Sequence, residues 1–178
     1  MIYGDRIRLR AIEREDLPLF VNWLNDKEVI AGVLQYLPFS LADEEQWFSE
    51  MQKNPVDEHP MIIEVRQDDE WLPVGDCGFH KIDWRCRAGK VGILIGEKRL
   101  WNQGYGTEAM RLLLRHGFTT LNLNRISLDV FENNPGAIRS YEKIGFIHEG
   151  RKRQAMYKDG RYIDVLQMSI LKDEWKEA

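Results

Sequence analysis

One mixed α/β sheet of about six or seven strands with helices packed on its faces is the architecture this sequence predicts. Two observations predict it. Apolar residues switch period several times along the chain, from strand-like alternation to helical spacing and back. The 178 residues, 43% hydrophobic and 30% charged, also suffice for a real core and are too apolar for a disordered chain. No internal repeat, low-complexity linker or shift in composition interrupts them, so residues 1–178 are expected to form a single domain.

The elements follow in order. "RIRLRAI" at 6–12 alternates charged and apolar side chains, a strand with Ile7, Leu9 and Ala11 on one face. Asp16 then caps a helix whose early Pro18 is tolerated and whose stripe is Leu19, Phe20, Trp23 and Leu24. A second helix is expected from about Ala42 to Met51, after the polar Ser40. "PMIIEVR", "WLPVGDCGFHKID" and "AGKVGILIG" make a meander of three strands, with "QDDE" as the first turn. After Gly106 the period becomes helical as far as about Gly117. "NRISLDVFE" is a strand and "NPGAIRSYEKIG" a helix closed by Gly145. Two terminal strands join through Lys158-Asp159-Gly160.

Several function classes fall on composition. The net charge is −4, with 25 basic and 29 acidic residues mixed along the chain, which offers no basic stripe for nucleic acid. Cys77 and Cys86 form no CxxC pair and have only His80 nearby, so no metal centre is expected. No stretch has the apolar length of a signal peptide or membrane span, which makes the cytoplasm the expected compartment.

"WNQGYGT" at 101–107 stands where a strand hands over to a helix. Glycine there lets a ligand approach the backbone closely, and the first turn of the helix offers unpaired N–H groups to an anion. The same geometry suits an ordinary tight turn. A nucleotide-triphosphate loop is excluded because Gly-Thr-Glu-Ala follows in place of Lys-Ser or Lys-Thr. A dinucleotide-binding unit is excluded because the turn follows a meander, not a strand-helix repeat.

Taken together, "IRLRAIEREDLPLF", "VGILIGEKRLWNQGYGTEAM" and "GFTTLNLNRISLDVFENNPGAIRSYEKIGF" resemble the GCN5-related N-acetyltransferase (GNAT) family over nearly the whole chain. Within it the chain looks similar to the ribosomal-protein alanine and polyamine acetyltransferases. The Gln-Gly-x-Gly form is weak alone and becomes specific with Asn-x-x-Ala-x-x-x-Tyr and Gly-Phe at the proper distance. The resemblance implies the acetyl-CoA N-acyltransferase fold, with acetyl-CoA as cosubstrate held at a splay between two parallel strands. Ile93, Leu94 and Ile95 match the strand whose backbone binds the pantetheine arm. Gln103, Gly104, Tyr105, Gly106 and Thr107 match the pyrophosphate loop, which needs no metal. Asn134 matches an asparagine beside the pantetheine, and a helix cap is its competing role. Tyr141 matches the tyrosine at the CoA sulfur, with core packing as the alternative.

Acetyl transfer needs an oxyanion donor, a base and an acid at the sulfur. Leu94 N–H is the expected donor and Asp129 the expected base, with Glu97 and Asp76 in reserve. The cluster Arg151-Lys152-Arg153 is expected to meet CoA phosphate or an acidic peptide, or else to be solvated. The acceptor is a primary amine, in the first reading a protein or peptide N-terminus and in the second a polyamine, amino metabolite or aminoglycoside. A noncatalytic acetyl-CoA-binding regulator is a third reading. A homodimer is implied only by the resemblance.

Overall fold

The computed structural model describes residues 1–176. Its strands are β1 (Ile2–Tyr3), β2 (Ile7–Ala11), β3 (Met61–Gln67), β4 (Glu70–Asp83), β5 (Ala88–Ile95), β6 (Arg125–Phe131), β7 (Ile147–Lys158) and β8 (Arg161–Leu171). They form one sheet in the order β1-β2-β3-β4-β5-β6-β8-β7. The helices are α1 (Leu17–Leu24), α2 (Leu41–Met51), α3 (Tyr105–Arg115) and α4 (Pro135–Ile144). The sheet has eight strands, above the expected range, because β1 pairs with β2 over only two residues, too few to show any alternation.

Alternation sorts side chains to the two faces of the sheet. Ile7, Leu9, Ile63, Val91, Ile126 and Leu128 meet Leu113 of α3 and Tyr141 and Ile144 of α4 in one buried cluster. On the opposite face Ile62 meets Phe20 and Trp23 of α1 and Met51 of α2, with Leu94 packed against them. The helices are therefore layered, α3 and α4 on one face, α1 and α2 on the other.

Local chemistry explains the boundaries. Ser40 caps α2 by accepting from Asp43 N–H, and Asp43 returns the bond to the Ser40 backbone. Gly145 ends α4 at φ 111°, a left-handed conformation that favours glycine. Four expectations shift. Ala11 is exposed and Ile12 is buried in its place, because the ladder with β3 ends at Ala11. The buried stripe of α1 is Leu17, Phe20 and Trp23. Helix α3 stops at Arg115, and a π-helical turn, His116–Thr120, carries the chain to β6. Asp16 stands at the start of α1 without capping it; its carboxylate accepts from Glu13 N–H at 2.8 Å.

That carboxylate also takes a bidentate grip from Arg10, at 2.6 and 2.8 Å. Arg10 in turn reaches Glu64, which is shared with Arg8. Asp16 and Glu64 are only 6% and 4% exposed, so this four-residue network locks β2 and β3 to the start of α1.

Candidate active site

Strands β5 and β6 make the one parallel pairing among the described residues, and it covers only Ala88–Lys90 against Arg125–Ser127. From Val91 onward β5 pairs with β4 alone, through Cys77↔Ile93, Asp76↔Leu94 and Gly75↔Ile95. The two strands part there, leaving an open row of main-chain groups on β5.

Peptide groups of a strand point alternately to its two neighbours. Arg87 C=O accepts from Asn124 at the start of β6, while Gly96 N–H donates to Val74 of β4 at 2.8 Å. Odd-numbered residues of β5 thus face the gap and even-numbered ones face β4. The Leu94 carbonyl agrees, because a Cβ on Gly75 of β4 would lie 2.0 Å from it. This corrects the expected oxyanion donor: Leu94 N–H is turned to β4, and Ile93 and Ile95 present N–H groups to the gap. Ile95 C=O is already held by the Trp101 indole at 2.8 Å. Side chains alternate too, so Ile93 and Ile95 pack on the α3 face and Leu94 on the α1–α2 face.

The glycine loop leads from the end of β5 into α3. Gly104 is its N-cap, at φ 87°, where a side chain would be strained, and no side chain caps the helix. The side chains of Gln103, Tyr105 and Thr107 are each engaged by a neighbour within the protein. Gln103 donates to Arg99 C=O at 2.8 Å, Tyr105 lies under the Arg6 guanidinium at 4.6 Å, and Thr107 bonds Ser140 of α4 at 2.7 Å. The first-turn N–H groups of Tyr105, Gly106 and Thr107 are what the loop offers outward. Together with the open edge of β5 they fit a ligand that carries a diphosphate at one end and an extended amide-bearing arm at the other.

Tyr141 is 8% exposed, in edge contact with Phe146, and burial pushes its phenol up to about 12. It therefore stays protonated and able to donate. Asn134 caps α4, its side-chain oxygen accepting from Ala137 N–H at 3.1 Å. Its Nδ2, close against Gly32, is the atom left for a ligand.

Asp129 does not suit the role of base. Its carboxylate lies 3.0 Å from both Lys90 Nζ and Lys152 Nζ. Burial pushes its pKa up, but the two ammonium groups outweigh that and hold it below the ordinary carboxylate value. Two residues of the basic cluster are likewise engaged within the protein, Arg151 with Glu132 and Asp164 and Lys152 with Asp129, while Arg153 is exposed.

A different carboxylate stands out. Asp76 faces α1 and α2, cross-strand from Ile62 and Leu94. Burial first, and then Glu44 of α2, push its pKa up to about 7. Glu44 itself is 2% exposed and also raised, by burial and by Asp43. The sequence offers Asp76 only in reserve and carries no sign of Glu44, because their approach depends on how α2 packs against the sheet. Among the described residues no group of three or more His, Cys, Asp or Glu is placed to hold a metal, and no helix is long and apolar enough to cross a membrane.

A splayed parallel pair, a helix start that no side chain caps and a buried tyrosine fit an acetyl-CoA-dependent N-acetyltransferase, and the chain belongs to the GNAT family: residues 6–147 match the acetyltransferase (GNAT) domain. It is 32% identical to an uncharacterized N-acetyltransferase, p20, of Bacillus licheniformis, over 98% of this chain and 97% of that one. It is 28% identical to the spermidine N(1)-acetyltransferase of Vibrio cholerae, over 97% of this chain and 96% of the relative. The crystal structure of the Vibrio cholerae spermidine N-acetyltransferase with CoA and spermine superposes with a TM-score of 0.85 at 27% identity, covering 96% of this chain and 98% of that one.

Proposed function

We propose that this N-acetyltransferase acts on a primary amine of a small cationic acceptor, a polyamine fitting best. The observation that carries the reading is the acidic pair of buried Glu44 and half-buried Asp76, on the same side of β5 as Leu94. Two acids drawn partly out of water, each with a raised pKa, gain by meeting an ammonium group, the more so when the acceptor carries further positive charge. At the other end of β5, Lys90 and Lys152 outnumber Asp129, so a polycation extends toward α2 and away from them. The similarity to spermidine acetyltransferases supports the same acceptor, and the peptide N-terminus expected first gives way to it. The proposed compartment is the cytoplasm, where Cys77 and Cys86, both free, stay reduced.

In this reading Asp76 takes the proton of the incoming ammonium, and a pKa of about 7 keeps roughly half of it ionised for the task near neutral pH. The amine nitrogen then bonds to the acetyl carbon. N–H groups on the open edge of β5, those of Ile93 and Ile95, receive the charge that develops on oxygen. As the carbon–sulfur bond breaks, Tyr141 steadies the departing thiolate. A phenol at about 12 is a weaker acid than a thiol, so Tyr141 acts by hydrogen bonding to the sulfur, and the thiolate takes its proton from solvent as Asp76 returns one.

The test offers acetyl-CoA with spermidine, spermine, simple diamines and peptides bearing free N-termini, and reads acetylated product by mass spectrometry. Polyamine products at the highest kcat/KM are expected. Preferential acetylation of the peptides would overturn the assignment.

A further inference from the structure

Arg6 precedes β2, far in sequence from the glycine loop, yet it touches that loop at three places. Its Nη1 donates to Gln103 C=O at 3.2 Å, and its guanidinium covers the Tyr105 ring at 4.6 Å. Its Nε and backbone N–H both donate to Glu108, each at 2.9 Å, with Nη2 2.8 Å from the same carboxylate. Between these contacts lies Gly104, where a Cβ would stand 3.3 Å from Arg6 Nη2. The guanidinium therefore clasps the loop on both sides of its left-handed residue.

Glu108 makes this clasp necessary. It sits in the first turn of α3. An acid there suits the helix dipole but opposes an incoming anion. The Glu108 side chain is 18% exposed and the Arg6 side chain 50%. Arg6→Ala leaves the Glu108 carboxylate its bond from the backbone N–H of residue 6, so the strand start stays tied to α3.

We propose that Arg6 is a positioning residue for the acetyl donor. It fixes the shape in which Tyr105, Gly106 and Thr107 present their N–H groups, and it neutralises Glu108 beside the diphosphate. The proposal rests on the reading of Gln103–Thr107 as the diphosphate loop. It assigns Arg6 no contact with the reacting atoms, so its effect falls on donor affinity and leaves the chemical step alone.

The experiment compares acetyl-CoA with S-acetylpantetheine, which has the thioester and the arm but no diphosphate. With acetyl-CoA, Arg6→Ala is expected to raise KM about tenfold and leave kcat within about twofold, the pattern of lost binding without lost chemistry. Arg6→Lys restores part of the affinity, because it returns the charge without the fork. Adding Glu108→Gln to Arg6→Ala restores part of it too, by removing the unpaired acid. With S-acetylpantetheine, wild type and Arg6→Ala are expected to match. Equal losses on both donors, or an unchanged KM for acetyl-CoA, would overturn the role of Arg6. Should wild type itself fail to prefer acetyl-CoA over S-acetylpantetheine, the diphosphate loop is misassigned and the role of Arg6 falls with it.

Discussion

Asp76 combines two requirements that pull against each other. Its folded pKa, about 7, lies above the ordinary carboxylate value, so the native state holds this proton more tightly than the unfolded chain does. That stabilising contribution is fully present below the unfolded pKa and is lost as pH rises through about 7. Asp76→Asn is therefore expected to melt higher than wild type at pH 8, with the gap closing toward pH 4, while kcat/KM falls about a hundredfold or more. Thermal unfolding across pH, beside initial rates, checks both, and a variant that stays active removes Asp76 as the base. Tyr141→Phe keeps the edge contact with Phe146 and removes only the hydroxyl. A drop in kcat of roughly a hundredfold with an unchanged KM for acetyl-CoA is expected in steady-state assays. At this scale the sequence was readable where a residue acts through its neighbours in the chain, as with Gly104 before α3. It was silent where partners are distant: nothing local ties Arg6 to Glu108 or Glu44 to Asp76. It also misdirected Leu94, because which edge of a strand an amide faces depends on pairing that no side chain records.

The elements held because their signals were local. The Ser40–Asp43 capping box starts α2, and the left-handed Gly145 ends α4, where the sequence places these boundaries. β1 escaped notice for lack of length, and the π-helical turn after Arg115 carries no sequence signal of its own. Between elements, the Arg8–Glu64–Arg10–Asp16 network is the joint most sensitive to change. In Asp16, burial raises the pKa, but the bonds from Arg10 and Glu13 outweigh it and the net shift is downward, so this contribution is lost as pH falls. Arg10→Met leaves the buried Asp16 without a cation and Glu64 with Arg8 alone, and is expected to cost about 3–5 kcal/mol in urea unfolding. A loss below 1 kcal/mol would mean that water reaches these acids.

Across the whole molecule, strands β1–β5 come from the chain before the glycine loop, and β6–β8 with α4 come from the chain after it. A donor seated between β5 and β6 bridges the two. Acetyl-CoA or CoA at about a hundred times its dissociation constant adds roughly 2.7 kcal/mol, which for a chain of this size raises the melting temperature by about 5–10 °C. Differential scanning fluorimetry measures it, and a flat response would disconnect ligand binding from the sheet. The parting of β5 from β6 has one more consequence. Strands with unsatisfied main-chain groups normally lie on the rim of a sheet, where proteins guard them against stray pairing. Here such a strand lies in the middle, flanked by finished ladders. Empty, it is an internal socket for any extended peptide able to slide in, the donor's own arm being the natural plug. An extended peptide that competes with the acetyl donor is the expected sign that this edge is open, and a rise in the apparent KM for acetyl-CoA on adding such peptides measures it.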